Sequence, residues 1–200
     1  MRQLGLDILA PRAPTLDNFV AGANAEALSN VRSLAMGSLA ESVVYLWGAP
    51  GSGRSHLLRA ASRRGVTIAD DVETFDDAAQ VALFNRINEA RESGGTVLAA
   101  GNAPPAQLVL REDLRSRLGW GLVYQLKPLT DADKALWLQA EGARRGLGLG
   151  DDVVAYLLAR VRRDMPFLEA LVEHLDRHAL EQQRRITVPL VREALRSLDS

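Results

Sequence analysis

Cysteine is absent from the 200 residues, which excludes a disulfide framework and any thiolate-held metal. Histidine is nearly as scarce. His56, His174 and His178 are the only three, and although the last two stand four apart on one helical pattern, no further ligands accompany them to make a zinc centre. No apolar run approaches the roughly 18 residues of a membrane span, and Met1 to Ala13 carries Arg2 and Asp7 with no long apolar stretch. Secretion and membrane insertion are not expected, and the chain is read as cytoplasmic. Charge of one sign is missing too: Lys and Arg number 24 against 25 Asp and Glu, a net charge of -1. No global field draws such a chain onto nucleic acid, so direct sequence-specific DNA binding is not expected. Internal repeats and low-complexity segments are also lacking.

The remaining sequence divides by pattern. Residues 1–14 end in Pro11 and Pro14, which disfavour a helix across the junction and make a tether. A helix is expected over 25–40. Ser42 to Trp47 is a short apolar run suited to a buried parallel strand, and a glycine turn, a helix from about Ser55 to Arg63 and a second apolar strand at Val66 to Ala69 follow. Strand, turn, helix, strand is a βαβ unit. Ala79, Leu83, Ile87 and Ala90 form a helical stripe ended by Gly94-Gly95. Strands are then expected at Thr96 to Ala100 and Leu122 to Leu126, with a helix around Glu112 to Leu118 between them. After Lys127-Pro128 only helical stripes remain: Val154, Leu157, Leu158, Val161, then Leu168, Leu171, Val172, Leu175, then Val191, Ala194, Leu195, Leu198. Thr130 with Asp133 has the spacing of a capping box. The organisation expected is a tail at 1–14, an α/β core at 15–127 and a helical lid at 128–200.

Gly48-Ala49-Pro50-Gly51-Ser52-Gly53-Arg54-Ser55 fits the phosphate-loop pattern G-x-x-x-x-G-K-[ST] with one change, Arg54 for lysine, and it lies between a strand and a helix as the motif requires. Gly48, Gly51, Ser52, Gly53, Arg54 and Ser55, with His56 beside them, are the nucleotide-binding candidates for ADP or ATP. Ser55 would offer its hydroxyl to Mg²⁺. Guanidinium is broad and planar, so Arg54 can hold a phosphate but not occupy the compact ammonium position between β- and γ-phosphates, which favours ADP binding over fast hydrolysis. Asp70-Asp71 at the end of the second strand would support Mg²⁺ through Asp70 and polarise water through Asp71. Adjacent aspartates there could also simply begin a turn.

Beyond the loop, Thr15-Leu16-Asp17-Asn18-Phe19-Val20, Leu98-Ala99-Ala100-Gly101-Asn102-Ala103-Pro104-Pro105 and Leu114-Arg115-Ser116-Arg117-Leu118-Gly119-Trp120-Gly121 resemble three blocks of the DnaA-related AAA+ ATPases. The resemblance runs from about residue 15 to the C-terminus. It implies a P-loop AAA+ parallel sheet with a C-terminal helical lid, an adenine-side strand carrying Phe19 and Val20, Asn102 at the γ-phosphate, and Arg117 as an arginine finger. Charge pattern alone offers another account of Arg117, an i,i+4 ion pair with Asp113 worth about 0.3–0.5 kcal/mol.

Within that family the layout is similar to the Hda type. The chain stops at Ser200 after the lid, without a helix-turn-helix domain; the loop has arginine for lysine; and Gln3-Leu4-Gly5-Leu6 resembles the clamp-binding peptide, with Gln3, Leu4 and Leu6 as anchors and Asp7 where an apolar residue or proline is usual. The partners implied are DnaA and the β sliding clamp of DNA polymerase III, and a homo-oligomer is also open. The function implied is negative regulation of replication initiation: Arg117 promotes hydrolysis of DnaA-bound ATP in trans, and the chain itself is not an efficient ATPase. An AAA+-like adaptor, nucleotide-free or ADP-bound, and a cis-acting P-loop ATPase are the alternatives. Two departures stand out. Asp70 follows Arg54 by only sixteen positions, too few for the usual extra strand and helix, so the sheet is expected to lack one edge strand of the order 5-1-4-3-2. Pro166 stands where the family has a phosphate-sensing arginine, leaving Arg162 or Arg163 as substitutes.

Overall fold

In a computed structural model, residues 13–62 and 66–197 are described. Gln3, Leu4 and Leu6 therefore lie outside the described residues. The chain divides into two compact units, Pro14–Pro128 and a second that contains Leu129–Ser200.

The first unit is built on four parallel strands, β1 (Val43–Trp47), β2 (Thr67–Ala69), β3 (Val97–Gly101) and β4 (Leu122–Gln125), in the order β2-β3-β1-β4. That order is what the five-strand arrangement leaves after losing its outermost strand, and it makes three-residue β2 an edge. The two central strands are almost wholly buried, since helices cover both faces of the sheet. On one face α1 (Ala25–Ala35) and α2 (Arg54–Ser62) pack Leu28, Val31, Leu34, Leu57 and Leu58 against Val44, Leu46, Leu98 and Ala100. On the other, α3 (Asp77–Ser93) and α4 (Glu112–Leu118) pack Leu83, Ile87, Leu114 and Leu118 against Val43, Tyr45, Val97 and Ala99. Alternate residues of each strand thus serve alternate layers. Asn24, 4% exposed, ties the end of β4 to the start of α1, donating to the Lys127 carbonyl at 2.9 Å and accepting its N–H at 2.8 Å.

Two local expectations change. Helix α1 ends five residues early, because Gly37 adopts φ +68° after Met36 and turns the chain toward β1. Thr15 to Val20 forms no strand: the Thr15 N–H donates to Asn18 Oδ1 at 2.8 Å and the Asn18 N–H to Thr15 Oγ1 at 3.1 Å. Those reciprocal bonds close a bend that competes with sheet pairing.

The second unit packs α5 (Asp131–Arg145), α6 (Asp151–Arg160), α7 (Met165–Gln182) and α8 (Val188–Ser197) around Leu138, Leu157, Leu168, Leu171, Leu175 and Leu190. The Thr130–Asp133 capping box opens α5. Pro166 lies in the first turn of α7, where its missing N–H costs nothing, behind the N-cap Asp164. Among the described residues no helix is long and apolar enough to cross a membrane.

Candidate nucleotide site and arginine surface

Parallel strands in register bring the predicted nucleotide residues to one end of the sheet. Trp47 of β1 pairs with Gly101 of β3, and Ala69 of β2 with Ala99, so Gly48, Asp70 and Asn102 all leave the C-terminal ends of their strands together. This is where α/β sheets bind ligands. The loop between β1 and α2 needs two of its glycines for distinct reasons. A Cβ on Gly48 would run into the Leu126 carbonyl, and one on Gly53, at φ +99°, would meet Phe19 Cε2 at 2.6 Å. Phe19 in turn lies edge-on to His56, ring centroids 5.4 Å apart, and the His56 Nε2–H donates to the Thr15 carbonyl at 2.9 Å. Burial pushes the His56 pKa down, favouring the neutral ring. The segment at Thr15–Phe19 thus straps the start of α2, with Val20 half-buried next to it.

Arg54 does not point away from the sheet. Its Nη2 lies 3.5 Å from Asp71 Oδ1, its side chain is 12% exposed, and Nη1 is buried with no hydrogen-bond partner. The Ser52 hydroxyl, in a residue 5% exposed, is also buried and unpartnered. Asp71 takes a left-handed conformation, φ 48°, and its N–H donates to Asp70 Oδ1 at 3.0 Å, so the two aspartates begin a turn, and Asp71 meets the loop through Arg54. The structure adds two residues that motif reading missed, Tyr45 and Glu73. The Tyr45 hydroxyl, on β1 below the loop, donates to the Ala103 carbonyl at 2.8 Å; burial above all, with the nearby Glu73 charge, pushes its pKa up against the opposing pull of Arg54. Glu73 Oε2 is buried without a donor. Neither residue belongs to a contiguous motif; only the alternation of β1 could have aimed Tyr45 here. Asn102 is exposed, and Ser55 half-buried, at the mouth of this cluster.

Arg117 stands at the opposite end of the same strands. The turn after α4 leads through Gly121, where a Cβ would strike the Val43 backbone, and Leu122 then pairs level with Val44. The five residues of β1, at about 3.3 Å each, put roughly 16 Å of sheet between that end and the phosphate loop. The ion pair with Asp113 does not form, because Asp113 is taken by Arg111 through bonds of 2.8 and 3.2 Å, which also hold the Asp113 carboxyl below its ordinary pKa. Instead Arg117 Nε donates to Asn88 Oδ1 at 2.8 Å, and the guanidinium lies 3.5 Å over the Trp120 ring and 5.3 Å from Phe84. Trp120 is 49% exposed, Arg91 approaches the ring at 4.7 Å, and a cavity of about 460 Å³ opens beside it, lined by Glu41, Val43, Ile87, Arg91 and Gly121. Asn88 and Trp120 were likewise not singled out in the sequence; 29 positions separate Asn88 from Arg117.

In the helical unit the two arginines near Pro166 are engaged locally. Arg162 pairs with Asp164 at 2.9 Å, and Arg163 with Asp131.

Comparison with known proteins bears on both units. Residues 131–195 match the family model described as the Hda lid domain. Domain III of the Thermotoga maritima replication initiation protein DnaA superposes with a TM-score of 0.69 at 18% identity, over 96% of this chain and 99% of that one. AMPPCP-bound DnaA from Aquifex aeolicus gives a TM-score of 0.66 at 21% identity, over 88% of this chain and 68% of that one. A RuvB variant from Thermotoga maritima gives 0.63 at 17% identity, over 93% and 73%. Residues 131–195 are thus similar to the Hda lid domain, and the chain shares the fold of the DnaA and RuvB structures.

Proposed function

We propose that this protein regulates replication initiation by engaging DnaA and promoting hydrolysis of DnaA-bound ATP, with Arg117 as an arginine finger supplied in trans. The observation that carries the reading is the placement of Arg117. At the N-terminal ends of the strands it cannot reach the nucleotide loop of its own subunit, while it stacks on the half-exposed Trp120, which lines a cavity. In the step served, water attacks the γ-phosphorus of ATP on DnaA, the bond to the β-phosphate oxygen breaks, and ADP and phosphate result; carboxylates and water belong to DnaA. The guanidinium stabilises charge on the transferring phosphoryl group, a contribution of about 10³ to 10⁵ in rate where such fingers act.

The chain's own loop holds ADP or ATP as a structural ligand. A DnaA-type core supports this, since the Aquifex aeolicus relative is an AMPPCP complex. Efficient cis hydrolysis is disfavoured by the contact between Arg54 and Asp71, which occupies the carboxylate that would polarise water. Gln3, Leu4 and Leu6 in the tail at 1–14 anchor the protein on the β sliding clamp, in the cytoplasm, and the core at 15–127 and lid at 128–200 follow. An adaptor without catalytic role is the second reading, favoured by the engagement of Arg117 with Asn88. ATP turnover by DnaA, measured with clamp-loaded DNA with and without this protein, separates the two. Accelerated turnover is expected, and unchanged turnover sinks the catalytic reading.

A further inference from the structure

Nucleotide loops ordinarily meet phosphate charge with a lysine and a Mg²⁺ held by the loop hydroxyl and an acidic strand end. Here the carboxylates near the loop have other partners. Asp71 sits 3.5 Å from the Arg54 guanidinium, and Asp70 Oδ1 accepts the Asp71 N–H. A divalent cation entering beside Ser55 would also approach the fixed positive charge of Arg54, in a partly buried place where like charges repel most. The Mg²⁺ expected on Ser55 and Asp70 does not fit this arrangement.

Two donors nearby lack what a phosphate would provide. Arg54 Nη1 is buried with no acceptor, and so is the Ser52 hydroxyl, whose residue is 95% buried and whose oxygen lies 2.9 Å from where a Cβ on Gly48 would stand, inside the turn of the loop. A guanidinium presents two Nη edges at once. One is spent on Asp71, and the other is free for an anion next to the backbone N–H groups that open α2.

We propose that the loop binds a nucleoside diphosphate without a divalent cation, with Arg54 bridging Asp71 through Nη2 and a phosphate oxygen through Nη1. Arg54 and the opening of α2 together replace the metal. This inference rests on the reading of Gly48–Ser55 as a nucleotide site, and the test separates the two.

Calorimetric titration of the full chain, freed of nucleotide, with ADP is performed in excess EDTA and again in Mg²⁺. In wild type the affinity in EDTA equals or exceeds that in Mg²⁺. Arg54→Lys, which draws the cation back from Asp71, gains about tenfold or more from Mg²⁺, one decade of affinity. Asp71→Asn, which leaves Arg54 unpaired, binds ADP equally with and without the metal. A wild-type affinity that rises tenfold or more on adding Mg²⁺ overturns the inference while leaving the nucleotide site intact. ADP binding in neither condition overturns both.

Discussion

Asn88 and Trp120 hold Arg117 by two different forces, so truncating each gives a graded test of whether the observed pose is the working one. The Nε to Oδ1 bond at 2.8 Å is a charge-assisted hydrogen bond. Such bonds contribute about 1.5–3 kcal/mol, and a half-buried one belongs at the low end. Stacking at 3.5 Å on a ring that is 49% exposed adds about 0.5–1 kcal/mol. Since about 1.4 kcal/mol is tenfold in rate, Asn88→Ala is expected to lower the maximal rate of DnaA-bound ATP hydrolysis about tenfold, and Trp120→Ala about two- to fivefold. Both act by loosening the finger after docking, so the concentration giving half the maximal rate stays nearly unchanged, and Trp120→Phe recovers most of the loss. Single-turnover hydrolysis of ATP preloaded on DnaA, followed against concentration of the added protein, yields both quantities. Variants that stimulate as well as wild type, or better, refute the reasoning and mark the contact as a parked pose that docking must break.

Gly53→Asp places a Cβ where Phe19 Cε2 stands 2.6 Å away, at a backbone φ of +99° that side chains rarely adopt, and adds a carboxylate against the phosphate. Loss of ADP binding by calorimetry is expected, and retained binding contradicts the cradle. In the lid, hydrogen bonds from Arg144 first and Arg145 second hold the Glu141 pKa at about 2, below its ordinary 4.5. Because the folded value is depressed, the stabilisation is complete above the ordinary pKa and is lost as pH falls from about 4.5 toward 2. Thermal melting across that window should fall more steeply for wild type than for Glu141→Gln, and equal slopes would contradict the assignment.

What the sequence made legible is local in origin. The phosphate loop was readable because glycine spacing, the strand before it and the helix after it are contiguous, and the loss of an edge strand showed as a short interval between Arg54 and Asp70. The capping box at Thr130 and the first-turn place of Pro166 were set within four residues of themselves. What escaped was long-range or competitive. The partner of Arg117 is 29 residues away across two helices, whereas Asp113 at i,i+4 was a plausible partner that Arg111, entering α4 in extended conformation, takes first. Thr15 to Val20 reads as a strand by likeness, but Thr15 and Asn18 satisfy each other's backbone. Tyr45 and Glu73 meet the phosphate loop only through the parallel pairing of β1 with β3 and the turn after β2.

The trans role of Arg117 is tested most directly by the fate of radiolabelled ATP bound to DnaA. With clamp-loaded DNA and stoichiometric wild-type protein, the bound label should convert to ADP within a single turnover. With Arg117→Ala at equal occupancy it should remain ATP. Conversion by the alanine variant at the wild-type rate would contradict the account.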